Sequence, residues 1–249
     1  PPNLEGVTIL EVRRHKRRLR IGVHKKNRFN LTIRELTGDT EMLERKLMLV
    51  QHLGVPNYFG EQRFGNNFGN IEECNLWFQG RHKPRPDLKA LLLSSARSFL
   101  FNEHLSQRIE NHTWQTIGER ELCMLRGSNS WFKAADEEPG SLDARLESGD
   151  VSTSGPMWGT GPIQEEERYL KDKYRQFTLG LEKNGLKQQR RPLILKPENM
   201  VWDIQSGQLN ISFDLVSGAF ATSVLSELVD YTDVHRDTQE EENPSPFDD

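Results

Sequence analysis

Two periodicities meet near the start of the chain, and together they restrict its fold more than any other feature. In RFNLTIRE (Arg28 to Glu35), Phe29, Leu31 and Ile33 alternate with Asn30, Thr32 and Arg34. That period of two describes a strand with one apolar face. The period then changes. In EMLERKLMLVQHL, residues Met42, Leu43, Leu47, Val50 and Leu53 form one broad helical stripe, with Asp39 or Thr40 placed to cap it. Gly54 ends this helix, and Pro56 prevents it from resuming. A half-apolar strand followed by a half-apolar helix calls for a layered fold in which each covers the other.

The same strand-then-helix order closes the chain. PLILKPENMVWDI and QLNISFDL read as strands around a Ser-Gly turn, and GAFATSVLSELVDY opens a helix. Between these ends lie mostly helical patterns. A helix is expected around Ile71–Gln79, and a long one runs through LKALLLSSARSFLFNEHLSQRIEN, capped by Asp87 and apolar nearly all round its first half. ELCMLRGSNSWFKA reads as two strands about a turn, ADEEPGSLDARLESGD as polar loop, and STSGPMWGTG as a Gly/aromatic turn cluster. EEERYLKDKYRQFTLGLEKNG reads as one amphipathic helix ending at Gly185. RHKPRP (Arg81 to Pro86) shifts abruptly to proline and charge, as a domain crossing does. Strands at both ends of a helix-rich middle suggest an α+β chain in which one domain is interrupted by another.

Charge is distributed unevenly. The segment Arg13 to Arg28 holds nine of the 33 Lys and Arg, whereas all 37 Asp and Glu lie elsewhere. A concentrated basic hairpin on an acidic chain is suited to a polyanion; the alternative is a solvated hairpin that only aids solubility. The residues after Thr232 are acidic and proline-containing, as in a mobile tail. No apolar run approaches the roughly 20 residues of a membrane helix. Cys74 and Cys123 lie too far apart for paired metal-ligand spacing and read as small buried hydrophobes in a reducing compartment. The seven histidines are scattered without ligand spacing, and no G-x-S-x-G elbow is present, so neither a metal centre nor a serine nucleophile is expected.

The stretch GVPNYFGEQRFGNNFGN (Gly54 to Asn70) remains. It follows a helix C-terminus, whereas a phosphate loop leads into a helix N-terminus, so a phosphate cradle is excluded. In an extended segment Asn57 and Phe59 point to one side and Tyr58 to the other. An aromatic ring, an amide and a nearby cation such as Arg63 are the means of holding an unstacked base. The same residues also fit a plainer role, with Phe59 and Phe64 plugging the core and Asn57 capping a turn.

A resemblance favours the first role. GVPNYFGEQRFG resembles the signature of the TruD family of tRNA pseudouridine synthases. RHKRRLRIGVHKKNRFNLTIRE resembles that family's basic hairpin and strand, HKxKLRxGxxxGNxF, with Lys26 standing where a glycine usually precedes Asn27. LLLSSARSFLFNEHLSQR, SGPMWG and SGAFATSVLSEL (Ser217 to Leu228) resemble later family segments, in family order, so that the match runs from about Leu10 to Leu228. The resemblance implies an α+β fold with a mainly antiparallel catalytic sheet. On this basis residues 1–82 and 195–231 form a split catalytic domain, 83–194 an inserted α/β domain, and 232–249 the acidic tail.

It also implies isomerisation of a flipped-out uridine in tRNA, at position 13, without cofactor or metal, in the cytoplasm. Asn57, Phe59 and Phe220 match the family's substrate-contacting positions, and Arg17, Arg20, Lys25, Lys26, Arg28 and Arg63 are the candidate RNA contacts. One motif has no counterpart. The family's nucleophilic aspartate lies in a G-x-K-D-type motif before the basic hairpin, and no such motif occurs here. The expectation is that this aspartate lies upstream of Pro1, on a segment that must join this chain for activity, and that the chain alone is inactive. A non-catalytic RNA-binding module is the alternative.

Overall fold

The computed structural model describes residues 11–14, 16, 18, 24–138 and 140–232. Seven of the sixteen residues of the basic segment, Arg17 and Arg20 among them, and nearly all of the acidic tail therefore lie outside the described residues.

The alternating stretch forms strand β1 (Lys26–Ile33), with Phe29, Leu31 and Ile33 as its half-buried set. It pairs antiparallel with β9 (Gln208–Val216), from Lys26 opposite Val216 to Ile33 opposite Leu209. β9 in turn pairs with β8 (Glu198–Gln205), giving the order β1-β9-β8. Helix α1 (Thr40–Leu53) covers one face of this sheet. Asp39 caps it by accepting from the backbone N–H groups of Glu41 and Met42. Its buried stripe is narrower than the sequence pattern: Leu43, Leu47 and Val50 are inside, while Met42 and Leu53 are exposed. With α7 (Ala221–Leu228) the helix closes a core around Leu209, Ile211, Phe213 and Leu215 of β9. Alternation along β9 places these four side chains on the covered face.

The chain leaves this layer through the two-residue strand β2 (Val55–Pro56) and returns to it through β7 (Ile194–Leu195), its antiparallel partner. Between them lie α2 (Gly69–Phe78), the long α3 (Lys89–Glu110), β3 (Leu122–Leu125), β4 (Trp131–Lys133), α4 (Ser141–Ser148), β5 (Val151–Met157), α5 (Arg168–Lys173), α6 (Arg175–Lys183) and β6 (Gln189–Pro192). The strands form a second antiparallel sheet in the order β4-β3-β5-β6. α2 precedes the RHKPRP segment in sequence but packs into this second unit, where Cys74 meets Leu92, Ala96, Leu100, Trp158, Leu170 and Leu181.

Several elements differ from their sequence pattern. The Gly/aromatic cluster at Ser152–Gly161 begins as strand β5, because Gly155 lets the backbone pass close under Phe101, His104 and Leu193. The expected single helix of residues 165–185 breaks at Tyr174 (φ −119°, ψ 38°), whose ring packs edge-on against Phe99. The polar run near residue 141 is the helix α4, anchored by Leu142 in a small core with Cys123 and Val151. PLILKPENMVWDI divides into β7 and β8.

Helices α6 and α2 approach closely at Gly180, where no side chain intervenes before Phe78. A Cβ built on Gly180 comes within 2.3 Å of the Phe78 ring. Gly180→Ala is therefore expected to destabilise the protein by about 1–3 kcal/mol, the usual cost of overpacking. A lowered denaturation midpoint at unchanged slope shows it.

Candidate functional site

Residues 57–59 form a short ledge that hydrogen bonds hold from three directions. The Asn57 N–H donates to the Leu193 carbonyl (2.9 Å), extending the β2–β7 pairing by one residue. From α3, the Asn102 amide closes both backbone groups of Phe59: the Phe59 N–H donates to Oδ1 (2.9 Å), and Nδ2 donates to the Phe59 carbonyl (3.0 Å). From α7, the Ser223 hydroxyl donates to the Tyr58 carbonyl (3.0 Å). The Tyr58 hydroxyl lies 3.0 Å from Ser106 Oγ, one helical turn beyond Asn102. A ledge tied to three elements is fixed before anything binds to it, and fixed geometry lowers the cost of binding.

On this ledge Phe59 meets Phe101 and Phe220 edge-on, with centroids 5.6 and 5.9 Å away. Phe59 is only 7% exposed and belongs to the local core with Phe64, Phe101, Leu105 and Leu193. One face is covered by the Arg191 guanidinium, whose Cζ lies 3.9 Å from the ring centroid; Arg63 is at 5.5 Å. Arg191 Nη2 donates to Asn57 Oδ1 (2.7 Å), and both Nη atoms reach the Gly218 carbonyl (3.2 Å). The other end of the Asn57 amide donates to the Pro192 carbonyl (2.8 Å). The Asn57 amide and the Phe59 ring thus both meet Arg191, while Tyr58 reaches away to Ser106.

The electrostatics of this corner are unusual. The acceptors around Arg191 are all neutral, and Arg63 Nε is buried without a hydrogen-bond partner. Burial, reinforced by the charge of Arg63, lowers the Arg191 pKa to about 9. No aspartate pairs with either arginine among the described residues. Two guanidiniums beside aromatic rings, without an acidic partner of this kind, suit an anionic group such as a nucleotide phosphate.

A family profile described as "tRNA pseudouridine synthase D (TruD)" matches residues 2–73 and 79–228. The chain belongs to the TruD family. It is 41% identical over 234 residues to tRNA pseudouridine synthase D of Hydrogenovibrio crunogenus, covering 91% of this chain and 67% of that protein. The corresponding enzyme of Aeromonas hydrophila is also 41% identical, over 233 residues, covering 90% of this chain and 65% of its own. The chain thus spans about two thirds of the length of these relatives. A crystal structure titled as the putative tRNA pseudouridine synthase D of Methanosarcina mazei shares the fold, with a TM-score of 0.59 at 18% identity, covering 82% of this chain and 68% of the other. The mixed helix and antiparallel-sheet architecture is therefore that of the TruD fold.

Asn57, Phe59 and Phe220, the residues singled out from the sequence, come together here, with Arg63 beside them. Arg191 had no sequence signal: it lies in QRRP, a stretch without periodicity, and only the strand that returns the chain to β2 brings it to the ledge. The basic candidates fare differently. Arg17 and Arg20 lie outside the described residues. Lys25 is exposed. Lys26 pairs with Glu198, and Arg28 grips Asp214 with two bonds (2.7 and 2.9 Å) directly across the β1–β9 ladder. The structure thus gives Lys26 and Arg28 partners within the chain.

Asp214 also accepts from Asn199 Nδ2 (2.8 Å), and these bonds, that of Arg28 first, lower its pKa from 3.8 to about 2. A depressed carboxylate stabilises the fold above its unfolded pKa, and that contribution disappears as pH falls through the folded value. Asp214→Asn is therefore expected to flatten the acid limb of the stability curve between roughly pH 4 and 2. Denaturant titrations across that window measure it.

Proposed function

We propose that this TruD-family protein isomerises a flipped-out uridine of tRNA to pseudouridine, at tRNA position 13, and works on tRNA in the cytoplasm. The observation that carries the proposal is the ledge, where an asparagine, two phenylalanines and a close pair of arginines converge on one rigid corner. In this reading the uridine enters beside Phe59 and Phe220, and the rings replace the stacking it loses on leaving the RNA. Asn57 holds the Arg191 guanidinium in place, and Arg63 and Arg191 offset the charge of the nucleotide phosphate.

The reaction breaks the bond from sugar to base nitrogen, turns the base, and joins the sugar to a base carbon; that carbon then loses its proton, and the freed nitrogen gains one. An aspartate is needed to assist the first step. In this proposal it reaches the corner from a segment other than the ledge, since no aspartate pairs with Arg63 or Arg191 among the described residues. No helix among those residues is long and apolar enough to cross a membrane.

In the full-length protein, Phe59→Ala is expected to lower pseudouridine formation by about 5- to 150-fold, since stacking on one base is worth about 1–3 kcal/mol. Wild-type rates in a folded variant would reduce Phe59 to core filling. If the parent protein binds tRNA tightly without isomerising it, the non-catalytic RNA-binding reading is correct instead. Because Lys26 and Arg28 are engaged within the chain, neutralising Arg17, Arg20 and Lys25 together is expected to carry most of the hairpin's effect on the salt dependence of tRNA binding. Removing one phosphate-binding cation lowers the slope by roughly 0.7–0.9. An unchanged slope removes the hairpin from the interface.

A further inference from the structure

One side chain of α3 supports the main chain on both sides of the ledge's central ring. Past Asn57, whose N–H still extends the β2–β7 pairing, the chain leaves the sheet, and among the described residues no main-chain group pairs with Phe59. Phe59 is nevertheless buried, so its own N–H and carbonyl need partners there. The Asn102 amide supplies both: Oδ1 accepts from the Phe59 N–H (2.9 Å), and Nδ2 donates to the Phe59 carbonyl (3.0 Å). A single side chain thus does for Phe59 what a neighbouring strand does for a residue within a sheet.

Asn102 is itself held firmly. Leu100, Phe101 and Leu105 around it are fully buried, Leu100 in the core shared with α2 and α6 and the other two in the core beneath the ledge. Helix α3 cannot turn about its axis without opening both. Its residue Phe101 also meets the Phe59 ring edge-on at 5.6 Å, so two consecutive residues of α3 fix the ring and its backbone together. Asparagine suits this place chemically. Its amide offers one acceptor and a donor side by side, whereas aspartate lacks the donor and a hydroxyl is too short to serve both groups. Helical periodicity reads Asn102 as one more polar position of α3; only the folded chain sets it against a residue 43 positions earlier.

We propose that Asn102 is a positioning residue for the isomerisation. By holding both backbone groups of Phe59 it sets where that ring meets the flipped uridine, and it acts on the reaction only through the ring. The inference rests on the proposed function, in which Phe59 stacks on the target base. One base is a small part of a tRNA interface whose affinity comes largely from phosphate contacts. A displaced ring therefore leaves tRNA binding nearly intact and slows the reaction of the bound uridine, because a small misplacement of a reacting group is costly in rate. A purely structural Asn102, satisfying buried polar groups and nothing more, predicts a lower Tm with an unchanged rate per folded molecule.

The test uses the full-length protein with unmodified tRNA and the variants Asn102→Ala, Phe59→Ala and the two combined, each assayed well below its Tm. For Asn102→Ala the expected result is a single-turnover rate of pseudouridine formation lowered about tenfold, with the tRNA Kd within about threefold of wild type. In the Phe59→Ala background the same change is expected to lower the rate by less than about twofold, since the ring through which it acts is gone. Asn102→Ser, whose hydroxyl can serve only one of the two backbone groups, carries the comparison if Asn102→Ala does not fold. A wild-type rate in the folded Asn102 variant overturns the proposal, as does an equal loss in both backgrounds. A slow Phe59→Ala beside a wild-type Asn102→Ala fails this inference alone. A wild-type rate in Phe59→Ala fails the stacking role in the proposed function and takes this inference with it.

Discussion

The placement of Arg191 is the contact on which the site depends. Its guanidinium lies over the Phe59 ring, accepts its orientation from the Asn57 amide, and reaches the Gly218 carbonyl just before α7. Three segments far apart in sequence thus meet on one planar cation. Guanidinium tolerates such a place better than an ammonium would, because it is planar, weakly hydrated and able to stack on an aromatic face. The cost of burying it beside Arg63 appears as its lowered pKa. The neutral amide and carbonyl oxygens of Asn57 and Gly218 are what offset that cost within the chain.

The second constraint is the return of the chain through residues 189–195. Over a few residues this segment pairs with β5 in one unit and with β2 in the other. It therefore fixes the position of the second sheet relative to the ledge. The alternation within β6 then separates two neighbouring arginines, Arg191 to the ledge and Arg190 to Glu167. A shift of one residue in this register would exchange Arg190 and Arg191, uncovering Phe59 and breaking the buried pair with Glu167.

Much of the fold was legible in local patterns. The strand at Phe29–Ile33, the α1 cap at Asp39 and the stop at Gly54 follow from side-chain periodicity and backbone chemistry that act within a few residues. The elements that were misread lack such local causes. β5 begins in a Gly-Pro-containing run whose extended form is imposed by close packing under Phe101 and His104. The break at Tyr174 answers to Phe99, and α4 to the small core around Cys123. Periodicity could not separate Met42 and Leu53 from the truly buried Leu43, Leu47 and Val50, because the width of a buried stripe depends on what covers it.

The sequence by itself determined the family motifs, the candidate residues Asn57, Phe59 and Phe220, and the concentration of basic charge before β1, since these are properties of residue identity and order. Only the tertiary structure decided which charges are spent and which are available. Lys26 and Arg28 are neutralised across strands that are distant in sequence, whereas Arg63 and Arg191 are brought together without an aspartate between them. Likewise it joined Asn102 to Phe59. Hydrogen bonding and Coulomb interaction act over a few ångströms in space, and that proximity is created only when the chain returns along β6 and β7 to the strand from which it departed.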